Sequence, residues 1–283
     1  MNPTDRRRTR LARLAWACAV LVLVITSLSA FIRLSRAGLG CEPWPRCASG
    51  ALSGTGPGAT EAAPSVTQAR ITHRVVASAA LLIVIVLLVQ CHTGTPGLPR
   101  QGRLAAALLA LGVFLAILGR MAGDSRAAPV VMANLLAGFA MFALACRLAL
   151  SLRPGAGVGA RAQPTLAARR LAWVALGLLA LQVALGGVLG AAAGPTACEG
   201  AWACGVHRLS GLATALVLVA TGVLAWRTGG VAARAVVALA AAQAVLGLTV
   251  AEGASPLALA VAHNLLAALL GGALLALVPA RAG

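Results

Sequence analysis

Lysine and tyrosine are both absent from this 283-residue chain, and only 6 acidic side chains stand against 23 basic ones, all of them Arg. Charged residues make up 10% of the sequence, where a soluble domain of similar length carries about 25%. So few charges cannot cover a water-facing surface, which excludes an ordinary soluble enzyme. Disorder is excluded from the other side, because 60% of the residues are apolar and disorder requires low hydrophobicity. The formal charge of +17 would suit nucleic acid, but no continuous polar surface exists to carry a basic groove, so no nucleic-acid partner is expected. The charge reads instead as membrane topology, with lipid as the surroundings. The Arg-only usage and the lack of Tyr are a coding bias rather than chemistry.

What is abundant is apolar sequence in long runs. A bilayer core about 30 Å thick needs roughly 20 apolar residues per helical span. Eight runs qualify: Leu14–Ile32, Ile71–Gln90, Leu104–Met121, Ala127–Leu150, Leu171–Ala193, Val206–Trp226, Val231–Val250 and Leu257–Ala280. Barrel-type alternation is missing, so the expected fold class is all-α, a polytopic membrane protein with eight transmembrane helices. The first run follows Arg6, Arg7, Arg8 and Arg10 as a signal peptide would, but no small-x-small cleavage site follows it closely, and it reads as a true span.

Eight spans place both termini on one side. Most of the Arg residues lie on that side, including the N-terminal cluster, Arg100, Arg103, Arg153, Arg161, Arg169, Arg170, Arg227 and Arg281. The positive-inside bias therefore predicts cytoplasmic termini in a bacterial inner membrane. On the opposite side fall two cysteine pairs, Cys41-Glu-Pro-Trp-Pro-Arg-Cys47 and Cys198-Glu-Gly-Ala-Trp-Ala-Cys204. An oxidising exterior favours disulfides, and loops this short close readily where the Cβ atoms face each other. Four free or buried thiols are the alternative, and a metal site is disfavoured by the spacing and by the lack of His in either loop. Cys18, Cys91 and Cys146 read as small core hydrophobes.

The cysteine pairs also mark an internal duplication. Each follows an odd-numbered span and precedes an even one near whose start stands His-Arg, His73-Arg74 and His207-Arg208. Ala133-Asn134-Leu135-Leu136-Ala137 in the fourth span echoes His263-Asn264-Leu265-Leu266-Ala267 in the eighth, and Gln182-Val-Ala-Leu-Gly186 echoes Gln243-Ala-Val-Leu-Gly247. The organisation expected is two tandem four-helix bundles, residues 1–150 and 171–283, joined by a cytoplasmic linker over 151–170; parallel repeats of this kind are a known membrane architecture. Gly186-x-x-x-Gly190 and Gly119-x-x-x-Gly123 would permit close helix contacts, including those of a homo-oligomer.

Ionisable groups at membrane depth are costly and mark function by default. Three of the four His residues lie in spans: His73, His207 and His263. The apolar runs put His73 and His207 within about a turn of their outer starts and His263 roughly 9 Å below its own. His207 and His263 can thus face each other across one bundle, an arrangement suited to axial ligation of haem iron. A single interfacial His bonded to backbone would be the plainer reading; two at like depth with Arg208 beside one argue against it. Arg74 and Arg208, expected at helix N-termini, are candidate partners for haem propionates, with snorkelling to lipid headgroups the alternative. His92 reads as a loop residue.

These residues together resemble the haem A synthase family. The resemblance is carried by Arg33-Leu34-Ser35-Arg36-Ala37-Gly38-Leu39-Gly40-Cys41-Glu42-Pro43-Trp44-Pro45-Arg46-Cys47, the repeated outer Cys pair, His-Arg near two helix starts, and His263 preceded by a Gln-x-x-Leu-Gly helix. It implies a membrane oxidoreductase that converts the methyl group of haem O to a formyl group for terminal oxidase haem A. It also implies haem b as cofactor in the C-terminal half, ligated by His207 and His263, and His73 as the catalytic-half residue serving the substrate haem. The partners implied are haem O, the haem O-producing enzyme and the terminal oxidase.

Two positions depart from the family pattern. A Glu expected three residues before the first His is Arg70 here, and a His expected in the fourth helix is Asn134 or Ala133, depending on the repeat register. Asn is a poor haem ligand, and Arg cannot act as a base. A competing reading is therefore a non-catalytic haem b-binding protein for electron transfer or oxidase assembly. A transporter is disfavoured, since no acidic group and no interior Pro interrupts a span.

Overall fold

The computed structural model describes residues 2–36, 64–122, 127–153, 164–191, 202–251 and 257–278. They form α1 (Pro3–Arg36), α2 (Pro64–Thr93), α3 (Pro99–Ala122), α4 (Ala128–Ser151), α5 (Leu166–Ala191), α6 (Trp202–Leu224), α7 (Trp226–Ala251) and α8 (Leu257–Leu277), with no strand among the described residues. All eight are long and apolar enough to cross a bilayer. The chain is a multi-pass, all-α membrane protein.

Local chemistry sets the helix starts. α1, α2 and α3 each begin on a Pro, and Pro129 stands in the first turn of α4, where a missing N–H costs nothing and the fixed φ suits the helix. α5 is capped by Thr165, whose Oγ1 accepts from the Ala168 N–H at 3.2 Å. Near the start of α7 the path breaks at Gly230, with φ 54° and ψ −130°, a conformation that L side chains rarely adopt. Regular helix resumes at Val231, where the apolar run also begins.

Most helices outrun their apolar stretches. α1 takes in the basic cluster Arg6, Arg7, Arg8 and Arg10, and α2 extends back through Thr67, Gln68 and Arg70. His92, expected in a loop, lies in the last turn of α2, its Nδ1 2.9 Å from the Leu88 carbonyl oxygen.

Long-range bonds fix the up-and-down order. At the end carrying both termini, Arg7 donates to the Gln90 carbonyl at 2.5 Å and the Pro96 carbonyl at 2.7 Å, tying the start of α1 to the end of α2; a cation there also meets the negative end of the helix dipole. Gln101 Nε2, on α3, donates to the Ser151 carbonyl at the end of α4 (3.3 Å). Arg147 donates to the Leu275 carbonyl at 3.1 Å and also to that of Val278, joining the same ends of α4 and α8.

Two closed rings result. α1 packs on α2 and α4, and α3 packs on the same two; α5 packs on α6 and α8, and α7 on the same two. α6 and α8 thus stand at opposite corners of the second ring. The rings meet through α4 with α8, α4 with α5, and α1 with α8. The last two contacts are equivalent under the repeat, and the first pairs a helix with its own counterpart. Phe142 and Gly272, equivalent by the Asn134/Asn264 register, touch across that central contact, where a Cβ on Gly272 would lie 2.8 Å from the Phe142 ring. Small residues bring the other seams close: a Cβ on Gly187 would lie 3.6 Å from the Cα of Met132, and Ala30, Leu34 and Ala260 form a buried cluster between α1 and α8. Lipid offers no hydrophobic drive between helices, so close backbone packing of this kind holds such bundles together.

Candidate functional site

His207 and His263 are half-buried in the second ring, each seated over a glycine of a neighbouring helix. A Cβ on Gly186 of α5 would lie 3.4 Å from His207 Cε1 and 3.7 Å from its Nε2. A Cβ on Gly247 of α7 would lie 3.2 Å from His263 Cε1 and 3.8 Å from its Nδ1. These glycines close the two Gln-x-x-Leu-Gly segments, so the duplicated motif builds one imidazole cradle on α5 and another on α7.

The glutamines lie four residues before the glycines, hence on the same helix face. Gln182 Nε2 donates to Ser210 Oγ at 2.6 Å, and that hydroxyl donates to the Val206 carbonyl at 2.5 Å, bracing the turn that carries His207. Gln243 Nε2 lies 3.2 Å from His263 Nε2. The Nδ1 atoms of both histidines, and Gln243 Oε1, are buried with no hydrogen-bond partner.

Orphaned polar atoms at membrane depth are expensive, and their concentration at one place needs a physical cause. Here it is a constellation whose nitrogens have little to do within the chain itself. The rings lie at like depth, since α6 begins at Trp202 and α8 at Leu257, putting His207 roughly 8 Å and His263 roughly 9 Å below their helix starts. Two imidazoles so held, with their Nδ1 atoms open and Asp5 at the far end of α1 the sole carboxylate among the described residues, suit coordination of a planar metal cofactor.

The first ring is built on the same plan with fewer polar groups. His73 is half-buried on α2, deeper below its helix start than its apolar run suggested, because α2 begins at Pro64. Carrying the cysteine register back from α5 to α1 puts Ile25 at the position of Gln182 and Ser29 at that of Gly186. Leu115 and Gly119 take the places of Gln243 and Gly247. Asn134 Nδ2 donates to Ser29 Oγ at 3.1 Å. With Asn134 matched to Asn264, as the Phe142–Gly272 contact supports, Ala133 is the counterpart of His263. Consistently, a Cβ on Gly119 would meet nothing within 4 Å, where Gly247 meets an imidazole.

Arg74 and Arg208 are exposed and stand well inside α2 and α6 rather than at their N-termini. The helix-dipole part of the expectation for them therefore lapses, since that effect fades within the first turn. Arg70 is half-buried on α2. Cys204 is buried on α6 and is not among the free thiols of the described residues, which are Cys18, Cys91 and Cys146. Cys41, Cys47 and Cys198 lie outside the described residues. Sequence reading used the Gln-x-x-Leu-Gly repeats as evidence of duplication and missed their role; their placement one helix before each His, in a chain poor in polar spans, was the available signal.

Fold and site together define a multi-pass helical membrane protein with a cradled imidazole pair on diagonal helices of one four-helix ring. Residues 12–275 match the COX15-CtaA family, described as cytochrome oxidase assembly protein. The chain belongs to this family. A curated relative named "Heme A synthase", from Shewanella oneidensis (strain ATCC 700550), is 32% identical over 146 residues, covering 48% of this chain and 43% of the relative. The match thus spans less than half the length of either protein.

Proposed function

We propose that this chain is a haem A synthase-like oxidoreductase that oxidises the methyl group of haem O to a formyl group for the haem A of a terminal oxidase. The observation that carries the reading is the pair of imidazoles with unpartnered Nδ1 atoms, each over the glycine of a repeated motif, in a member of a cytochrome oxidase assembly family. When bound, a b-type haem supplies one-electron redox chemistry. His207 and His263 hold its iron, Gly186 and Gly247 leave room for the rings, and Gln182 orients the His207 turn through Ser210. Arg208 offers an exposed guanidinium to its propionates. His73 holds the substrate, haem O, in the N-terminal half, with Arg74 beside it.

Further parts of the reading follow the same logic. The half 1–150 acts as the substrate-haem bundle and the half 171–283 as the resident-haem bundle, joined through 151–170. Both outer cysteine pairs, Cys41 with Cys47 and Cys198 with Cys204, close disulfides, which agrees with Cys204 lying apart from the free thiols. The Arg distribution supports cytoplasmic termini and a bacterial inner membrane as the location. Haem O passes from its producing enzyme and the product passes to the oxidase.

A second reading has its own support. Ile25, Leu115, Ala133 and Arg70 leave His73 as the one imidazole of the first ring's set, which favours a haem b-binding assembly or electron-transfer protein without synthase activity. Expression beside a haem O source, followed by acid extraction and chromatography of the haems, decides between them. Formyl haem appears under the first reading, and its absence under every condition selects the second.

The cradle predicts its own mutant phenotype. Gly186→Leu or Gly247→Leu is expected to push the imidazole aside and lower resident-haem content at least tenfold, an effect like that of losing a supporting group at a metal site. Gly177→Leu, on an exposed face of α5 where a Cβ meets nothing within 4 Å, is expected to keep the haem. Soret absorbance per protein checks all three.

A further inference from the structure

One charged group inside the spans has no task in the account so far. Arg33, near the outer end of α1, is half-buried on the seam where α1 packs on α8. Its Nη2 donates to Asn264 Oδ1 at 3.4 Å, a long bond, while its Nε is buried with no partner at all. Asn264 in turn donates to the Ala260 carbonyl at 3.3 Å, which holds its amide in place.

A guanidinium at this depth calls for an anion. The chain's acidic residues are Asp5, Glu42, Glu61, Asp124, Glu199 and Glu252. Only Asp5 falls among the described residues, at the opposite end of α1. Among the described residues, then, no carboxylate accompanies Arg33.

The helix face sets where Arg33 stands. Arg33 lies one turn beyond Ser29 on the same face of α1, and Ser29 is bonded to Asn134 of α4 inside the first ring. In the repeat, the position of Ser29 is that of Gly186, against which His207 is seated. Arg33 therefore stands above the first ring's counterpart of a haem cradle. Its own counterpart is Gly190, where a Cβ would meet nothing within 4 Å. The second ring keeps two imidazoles and a bare position; the first has one imidazole and a guanidinium.

We propose that Arg33 is a binding residue for the carboxylate of a haem in the N-terminal half, gripping a propionate while His73 faces the iron. This rests on the substrate-haem reading of that half. A planar fork of donors suits a carboxylate in bidentate fashion, and the anchor offsets the axial bond lost where Ala133 replaces a histidine.

The test titrates haem b, as a soluble stand-in carrying free propionates, and its dimethyl ester into detergent-solubilised full-length protein already saturated at the second ring. Soret difference spectra read the binding. For the parent protein the free-acid haem is expected to bind at least about tenfold tighter than the ester, the range of a charge-assisted hydrogen bond. Arg33→Gln should abolish that preference, Arg33→Lys should restore part of it, and neither should change the resident-haem spectrum, which reports folding. A preference undiminished in Arg33→Gln overturns the proposal while leaving the substrate-haem reading intact. If the first ring of the parent protein takes up no haem, or if His73→Ala leaves that uptake unchanged, the substrate-haem reading itself fails and the role of Arg33 falls with it. An Arg33→Gln protein that loses the resident haem as well shows a structural role and contradicts the proposal too.

Discussion

Replacing His263 with Ala is expected to lower resident-haem content by a hundredfold or more, leaving the chain in the membrane with its helices intact. The size follows from how little else holds the cofactor. Losing a supporting group at a metal site costs about 10- to 100-fold in affinity, and losing an axial ligand costs more. His207→Ala should do the same, because the two rings lie at like depth on diagonal helices. His73→Ala should leave the resident haem untouched, since α2 belongs to the other ring. Purified variants compared by Soret absorbance per protein and by circular dichroism give the answer. Equal haem loss from His73→Ala and His263→Ala would mean that the two rings share one site.

The second large effect is a gain. Ala133→His is expected to create a second bis-imidazole haem site in the first ring. Ala133 stands at the register of His263, and Gly119 offers the cradle position with nothing within 4 Å of its would-be Cβ. Room, register and His73 on the diagonal helix are therefore present, and only the second nitrogen donor is missing. When parent and variant are both loaded with haem, the first-ring haem of the variant should be low-spin, a change as large as the resident signal itself. Formyl haem output should fall in the same variant, because two strong axial ligands retain the substrate. A first-ring haem whose spin state is unchanged by this substitution would show that the repeat register assigned to α4 is wrong.

Much of the architecture was open to sequence reading because the bilayer imposes one length and one kind of element. Each of the eight apolar runs became a helix, and the run that begins at Val231 starts directly after the break at Gly230 inside α7. Helix ends were less legible. Arg6 to Arg10 and Thr67 to Arg70 are polar yet good enough helix formers to continue a turn already nucleated by a span, so hydropathy stopped short of α1 and α2. The displaced starts are also why Arg74 and Arg208 sit away from the helix dipoles.

The histidine pair was visible because imidazoles in spans are rare, and any pairing rule finds them. What surrounds them was not. Whether Gln243 points at His263 or at lipid depends on how α7 turns against α8, and no local pattern encodes that rotation. Arg33 was hidden by its position at the end of an apolar run, where Phe31-Ile32-Arg33 reads simply as a helix leaving the bilayer. Only the contact with Asn264, from a helix far along the chain, shows that it turns inward.

The central claim, a haem iron held between α6 and α8 by two imidazoles, is tested most directly by electron paramagnetic resonance of the oxidised, resident-haem protein. The account predicts a low-spin signal with the g-values of bis-imidazole ligation, lost on His207→Ala and lost again on His263→Ala. A low-spin signal surviving in both single variants would contradict it.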